Sequence, residues 1–140
     1  DPRVLFRGNT LMTKLLDAYQ RSISHDYLRI VVGPTVQRMY SYDRAVELDP
    51  TRVERPELIS KNMDLLEQDF IAVLETIYSS APLCPPEMRH IYSTLQEKIS
   101  AKFSVHEDDI VHFTVANSFF ILRLVVPAIL SPTVFQVRSE

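Results

Sequence analysis

Nine prolines and only two glycines punctuate a chain of 140 residues in which apolar side chains recur at intervals of three and four. Few glycines leave few left-handed turns, and prolines between periodic stretches stop helices sharply. The pattern therefore predicts helices separated by abrupt breaks. A first helix is expected from about Thr10 to Ile23, with Leu11, Leu15, Ala18 and Tyr19 on one face and Asn9 or Thr10 as cap. A second helical stretch covers roughly Asp26 to Tyr40 through Leu28, Val31, Val32, Val36 and Met39. Gly33-Pro34 interrupts it and predicts a kink or two short helices. Ser41 to Pro56 lacks helical period and reads as a long connection. Met63, Leu66, Phe70, Val73, Leu74 and Ile77 mark the clearest helix. Pro86 suits a first helical position and leads into Met88, Ile91, Tyr92, Leu95 and Ile99. Ser104-x-x-Glu107 reads as a capping box opening a helix through Ile110, Phe113, Ala116, Asn117, Phe120 and Leu124, which Pro127 ends or kinks. The expected class is all-α, with helices packed side by side and no significant β-sheet.

Composition narrows the function. The length fits one domain with a real core. A net charge of -3 disfavours nucleic acid as the main partner, because phosphate binding calls for a basic surface. One cysteine, Cys84, excludes an internal disulfide framework and suits a reducing compartment. The apolar run from Phe119 to Leu130 is too short to span a bilayer and carries Arg123.

Two arginines stand out. Arg123 lies inside that apolar run, where an unpaired charge would cost several kcal/mol. Pro127 has no N–H to give the Arg123 carbonyl, so the last turn offers free carbonyls. A guanidinium with five donors can tie such carbonyls, or those of a nearby loop, in place. Read alone, Arg123 is a structural arginine at a helix end. Arg7 lies in Leu5-Phe6-Arg7-Gly8-Asn9-Thr10, just before the first helix. Phe6 can anchor that loop, and Gly8 lets the backbone turn beside the arginine. Arginine suits the placing of a fixed positive charge on a phosphate, although a lone loop arginine is by default a solvated one.

Read with their flanks, the two segments resemble the Ras GTPase-activating protein family. Leu5-Phe6-Arg7-Gly8-Asn9-Thr10-Leu11 is similar to its finger loop. Ile121-Leu122-Arg123, followed by three residues and then Ala128-Ile129 after Pro127, is similar to its Phe-Leu-Arg…Pro-Ala-Ile signature, with Ile121 where the family usually has phenylalanine. Glu47-Leu48-Asp49-Pro50 and Cys84-Pro85-Pro86-Glu87-Met88-Arg89 resemble further family segments in the expected order. The resemblance runs from about Arg3 to Phe135. It implies that residues 1–140 are the N-terminal and central part of a longer catalytic domain, since the family continues with further helices after Pro-Ala-Ile.

The resemblance also implies a function: binding a GTP-loaded Ras-type small GTPase and accelerating its GTP hydrolysis in trans. Arg7 would be the arginine finger and Arg123 would brace the finger loop. Phe6, Gly8, Asn9 and Thr10 would shape the loop that meets the GTPase, and Leu122 would help form an apolar groove for its switch region. Fingers of this class are worth about 10³–10⁵ in rate, or roughly 4–7 kcal/mol. GTP and Mg²⁺ would belong to the partner, so no cofactor is expected here. The protein would be cytoplasmic, recruited indirectly to the inner face of membranes by the GTPase or by flanking domains. The rival readings are a non-catalytic scaffold of the same fold, disfavoured by the presence of Arg7, and a membrane-surface adaptor, disfavoured by the acidic balance.

Other chemistry is poorly supported. His25, His90, His106 and His112 have no metal-site spacing, and Cys84 sits among prolines with no activating base. Glu107-Asp108-Asp109 fits the first turn of a helix better than an acid–base pair. No phosphate-binding glycine loop is present. Phe113, Phe119 and Phe120 are expected in the core.

Overall fold

A threonine starts the first helix. In the computed structural model, which describes residues 8–103, 113 and 116–137, Thr10 is extended at φ −77° and ψ 162°. Its hydroxyl accepts from the Thr13 N–H at 3.2 Å, satisfying one free donor of α1, Leu11–Ile23. The next stretch divides as Gly33-Pro34 predicts. Pro34 cannot donate, so the chain forms α2, His25–Val31, and α3, Gly33–Tyr40, with Val32 between them. Val32 N–H still reaches the Leu28 carbonyl at 2.8 Å, and Val36 N–H reaches the Val32 carbonyl at 3.0 Å. The two helices therefore stay closely coupled.

After the connection, a 3₁₀ turn at Pro56–Leu58 leads into α4, Ile59–Ser79. A second 3₁₀ turn, Ala81–Leu83, precedes α5, Pro86–Phe103, which opens on its proline. The chain then forms a π-helix, Ala116–Val125, and runs directly into α6, Val126–Leu130. Pro127 thus sits in the first turn of α6, where its missing N–H costs little. It opens a helix where the sequence pointed to a stop or kink. The Ser104–Glu107 capping box lies outside the described residues. The fold is all-α, with no strand among the described residues.

Leu28 and Val31 of α2, the linking Val32 and Val36 of α3 form the centre of the core. Val73 of α4, Met88 of α5, Leu124 and Val125 of the π-helix, Ala128 of α6 and Phe135 pack on them. Phe119 is buried and Phe120 packs at the core edge, but Phe113 is exposed, against expectation.

Two helices bury polar faces. Leu11, Leu15, Ala18 and Tyr19 of α1 point to solvent, while Thr13 and Gln20 are buried. α4 exposes Met63 and Phe70 and buries Asn62 and Asp69. Both buried faces meet groups that need hydrogen bonds. The Asn62 amide donates to the Glu47 carbonyl at 2.7 Å and accepts from Arg44. Asp69 accepts from Arg38 Nε at 2.7 Å and from the Tyr42 hydroxyl at 2.8 Å. A buried polar group that is fully bonded escapes its desolvation penalty, so hydrophobicity alone does not orient these helices.

Candidate functional site

α1 and the π-helix pack against each other, and α1 also meets α5. Arg123 stands at this junction with its side chain 15% exposed. Its Nη2 donates to the Gly8 carbonyl at 2.8 Å. Its Nη1 donates to Asp17 Oδ2 at 2.6 Å, and its guanidinium carbon lies 5.9 Å from the centre of the Phe119 ring. The arginine thus ties the segment before α1 to the middle of α1. It uses the carbonyl of a nearby loop, one of the two options its donor count allows.

The Gly8 carbonyl is held from a second side. Thr13 Oγ1 lies 2.9 Å from it and 2.9 Å from the Thr10 carbonyl, so its single proton serves one at a time. Thr10 caps α1, and its own carbonyl accepts from the Lys14 N–H at 3.0 Å. Gly8 does not occupy the left-handed region, so its φ does not require glycine. A Cβ built there would meet no atom within 4 Å. What the glycine gives this surface is clearance.

Asn9 and Thr10 are exposed beside Gly8. Leu122 is 51% exposed in the turn that carries Arg123. Phe6 and Arg7 lie outside the described residues. Of the sequence-derived site, the structure brings Gly8 to Arg123 and places Thr10 as the cap behind them.

Sequence reasoning missed Asp17, Thr13 and Gln20. Gln20 Nε2 donates to the Phe119 carbonyl at 3.3 Å and to Asp17 Oδ1 at 3.4 Å. Its Oε1 accepts from the Tyr92 hydroxyl of α5 at 3.0 Å. Burial pushes the Tyr92 phenol far above its ordinary range, so it stays a neutral donor. A signal for these residues was available: positions 13, 17 and 20 share one helical face, and an arginine in an apolar helix demands an acid somewhere.

Hollows lie elsewhere among the described residues. A polar cleft of about 390 Å³ is lined within residues 44–62, by Arg44, Glu47, Arg52, Glu54, Arg55 and Asn62 among others. An apolar groove of about 230 Å³ runs between α4 and the π-helix, with Phe70, Ile77, Ile121, Val125 and Ile129 in its walls. Leu122 is not among its lining residues. Burial raises the Cys84 thiol pKa, which leaves it a poor nucleophile. Among the described residues no three His, Cys, Asp or Glu side chains form a metal-binding group. No helix among them is long and apolar enough to cross a membrane.

Comparison with known proteins places this geometry in a family. Residues 1–61 and 54–140 match the family described as GTPase-activator protein for Ras-like GTPase. Ras GTPase-activating protein 3 of Bos taurus is 35% identical over 141 aligned residues, covering all of this chain and 16% of that protein. The probable Ras GTPase-activating-like protein ngap of Dictyostelium discoideum is 34% identical over 140 residues, again covering 100% of this chain and 16% of the relative. A GTPase-activating protein of Drosophila melanogaster is 30% identical, with 12% of its length covered. The chain spans about a sixth of the length of the first two of these relatives. Matched along its whole length by the family model and by relatives at 34–35% identity, the chain that carries this arginine-to-carbonyl bond is a member of the RasGAP family.

Proposed function

We propose that this chain acts within a GTPase-activating protein that binds a GTP-loaded Ras-type small GTPase and lends it Arg7. Residues 1–140 would be the N-terminal and central part of the catalytic domain. The observation that carries the reading is the 2.8 Å bond from Arg123 to the Gly8 carbonyl, one residue from Arg7. A finger must reach the partner's phosphates without dragging the backbone, and a fixed carbonyl next to it supplies that anchor. The open space around Gly8 suits close approach by the partner's surface. Leu122, Asn9 and Thr10 expose apolar and polar atoms around the same point.

In this reading the Arg7 guanidinium neutralises charge developing on the transferred phosphoryl group. The effect is large only where the closed interface excludes water, because a solvated charge pair is worth little. GTP and Mg²⁺ belong to the GTPase. Membrane contact comes through the GTPase or through other parts of the protein, which otherwise works in the cytoplasm.

Single-turnover GTP hydrolysis by the loaded GTPase tests the assignment. Arg7→Ala is expected to lower the rate by about 10³-fold or more, with much less effect on binding. Arg7→Lys is also expected to be poor, since lysine lacks the planar fork. An unchanged rate in Arg7→Ala would sink the finger assignment. Retained binding with no acceleration by the unmodified protein would favour a scaffold.

A further inference from the structure

We infer that Gln20 and Asp17 are positioning residues for the GTPase-activating reaction, acting through Arg123 on the finger; the inference rests on the reading of Arg7 given above. Both belong to α1, whose N-terminus carries the finger loop. Each pins a different part of the π-helix. Asp17 holds the Arg123 side chain through Oδ2 at 2.6 Å. Gln20 holds the backbone one turn earlier, at the Phe119 carbonyl. The two are joined to each other, because Gln20 Nε2 also donates to the second oxygen of Asp17. The Gln20 side chain is buried and fully used: its amide gives to Phe119 and Asp17, and its oxygen takes the Tyr92 proton.

The result is a continuous chain of bonds from α5 to the finger loop: Tyr92, Gln20, Asp17, Arg123, Gly8. Each member fixes the direction of the next. A guanidinium with one acceptor can rotate about that bond, and a second acceptor on its other nitrogen removes that freedom. Asp17 selects the edge of the guanidinium that faces α1, which leaves Nη2 aimed at Gly8. Gln20 in turn fixes Asp17 and the local height of the π-helix. A wide π turn is a common device at functional sites, and here its carbonyl at Phe119 is met by a donor from outside the helix. Misplacing a reacting group by about 1 Å costs about 10²-fold in rate. The two residues are thus expected to act on turnover far more than on affinity.

The test uses the full-length protein with a GTP-loaded Ras-type GTPase. Gln20→Glu keeps the shape and the acceptor for Tyr92 but puts a carboxylate against Phe119 and Asp17. Asp17→Asn keeps the shape and removes the charge facing Arg123. Active protein is counted by its binding stoichiometry for GTPase loaded with a non-hydrolysable GTP analogue. Each variant is expected to lower kcat about 10- to 100-fold while the half-saturating GTPase concentration changes little. The double variant is expected to be no worse than the poorer single one, since both break one chain. Asp17→Glu is expected to recover part of kcat. A lowered melting temperature with kcat per active molecule intact would overturn the inference, as would additive losses or a loss confined to half-saturation. Should Gln20→Glu fail to fold, Asp17→Asn and its glutamate rescue decide alone. Arg7→Ala run in parallel separates the two failures. If Arg7→Ala abolishes acceleration and these variants do not affect kcat, only the present inference falls.

Discussion

Two arginines in this molecule do similar bonding with opposite burial. At the α1 and π-helix junction the arginine is the covered partner: Arg123 is 15% exposed and its acid, Asp17, is 22% exposed. Between α3 and α4 the acid is the covered partner: Asp69 is 2% exposed and Arg38 is 43% exposed. Asp69 collects Arg38 and the Tyr42 hydroxyl, and so fastens the start of the long connection to α4. Both carboxylate oxygens of Asp69 are bonded within the fold. Arg123 has a donor directed at the carbonyl of exposed Gly8, with Asn9 and Thr10 exposed after it. A buried carboxylate with two donors is a device for stability. A partly buried guanidinium that ends on an exposed loop is a device for placement.

Substitutions can break the contrast. Arg123→Ala is expected to cost about 100-fold in single-turnover rate and about 1–3 kcal/mol in stability, since the Gly8 carbonyl and Asp17 both lose a charged donor. A loss of activity with the melting temperature unchanged would count against the bracing role. Arg38→Ala is expected to cost about 3 kcal/mol in chemical denaturation, because it leaves Asp69 with Tyr42 alone. Turnover per folded molecule should hold. If it fell as far as in Arg123→Ala, the two arginines would not differ in kind.

Smaller effects sharpen the same point. Gly8→Ala is expected to be neutral or to stabilise by about 0.5 kcal/mol, since the added methyl meets nothing and the unfolded chain loses freedom. Any accompanying fall in turnover then reports crowding of the partner, which the rate and the melting temperature of one preparation will separate. The smallest effect concerns pH. The folded state holds the Tyr92 phenol above its ordinary pKa of about 10. Stability from this group is full below that value and declines as pH rises past it, because the unfolded chain releases the proton first. Tyr92→Phe is expected to flatten the alkaline fall in melting temperature, measured from neutral pH upward. An equally steep fall in the variant would assign the effect to Cys84, Tyr27 and Tyr42, whose pKa values burial also raises.

Much of the frame was legible from local rules. Thr10 caps, Pro86 opens a helix and Gly33-Pro34 splits one, because each acts through its own backbone geometry. Helix facing was less legible. The apolar stripe of α1 looks like a core face, but Thr13 and Gln20 turn inward to serve carbonyls at the junction. Phe113 is expected in the core and is exposed, while Asn62 and Asp69, polar residues outside the apolar stripe of α4, are buried. For Gln20, Asn62 and Asp69 the deciding partner lies far away in sequence, so no local window contains the reason; Thr13 alone of these is bonded within its own turn and the residues just before it. Arg123 could be read as needing partners, but its acid could not be named until α1 was laid against it. The π-helix carried no recognised sequence mark, and Pro127 disguised it as a helix end.

The π-helix also makes this wall of the molecule unusually sensitive to chain length. An α-helix advances 3.6 residues per turn, or about 100° per residue. A one-residue deletion just before Phe119 could be absorbed by tightening the wide turns to α geometry, leaving Pro127 and Ala128 in their seats. Leu122 and Arg123 would then swing around the axis, away from Gly8 and Asp17. Such a shortened chain is expected to melt cooperatively and keep its helical circular dichroism while losing acceleration of GTP hydrolysis. Loss of the cooperative melt instead would mean that the core, and not the aim of one side chain, requires the extra residue. In this segment length is a form of information: the extra residue is expected to set the azimuth of an arginine rather than to hold the fold together.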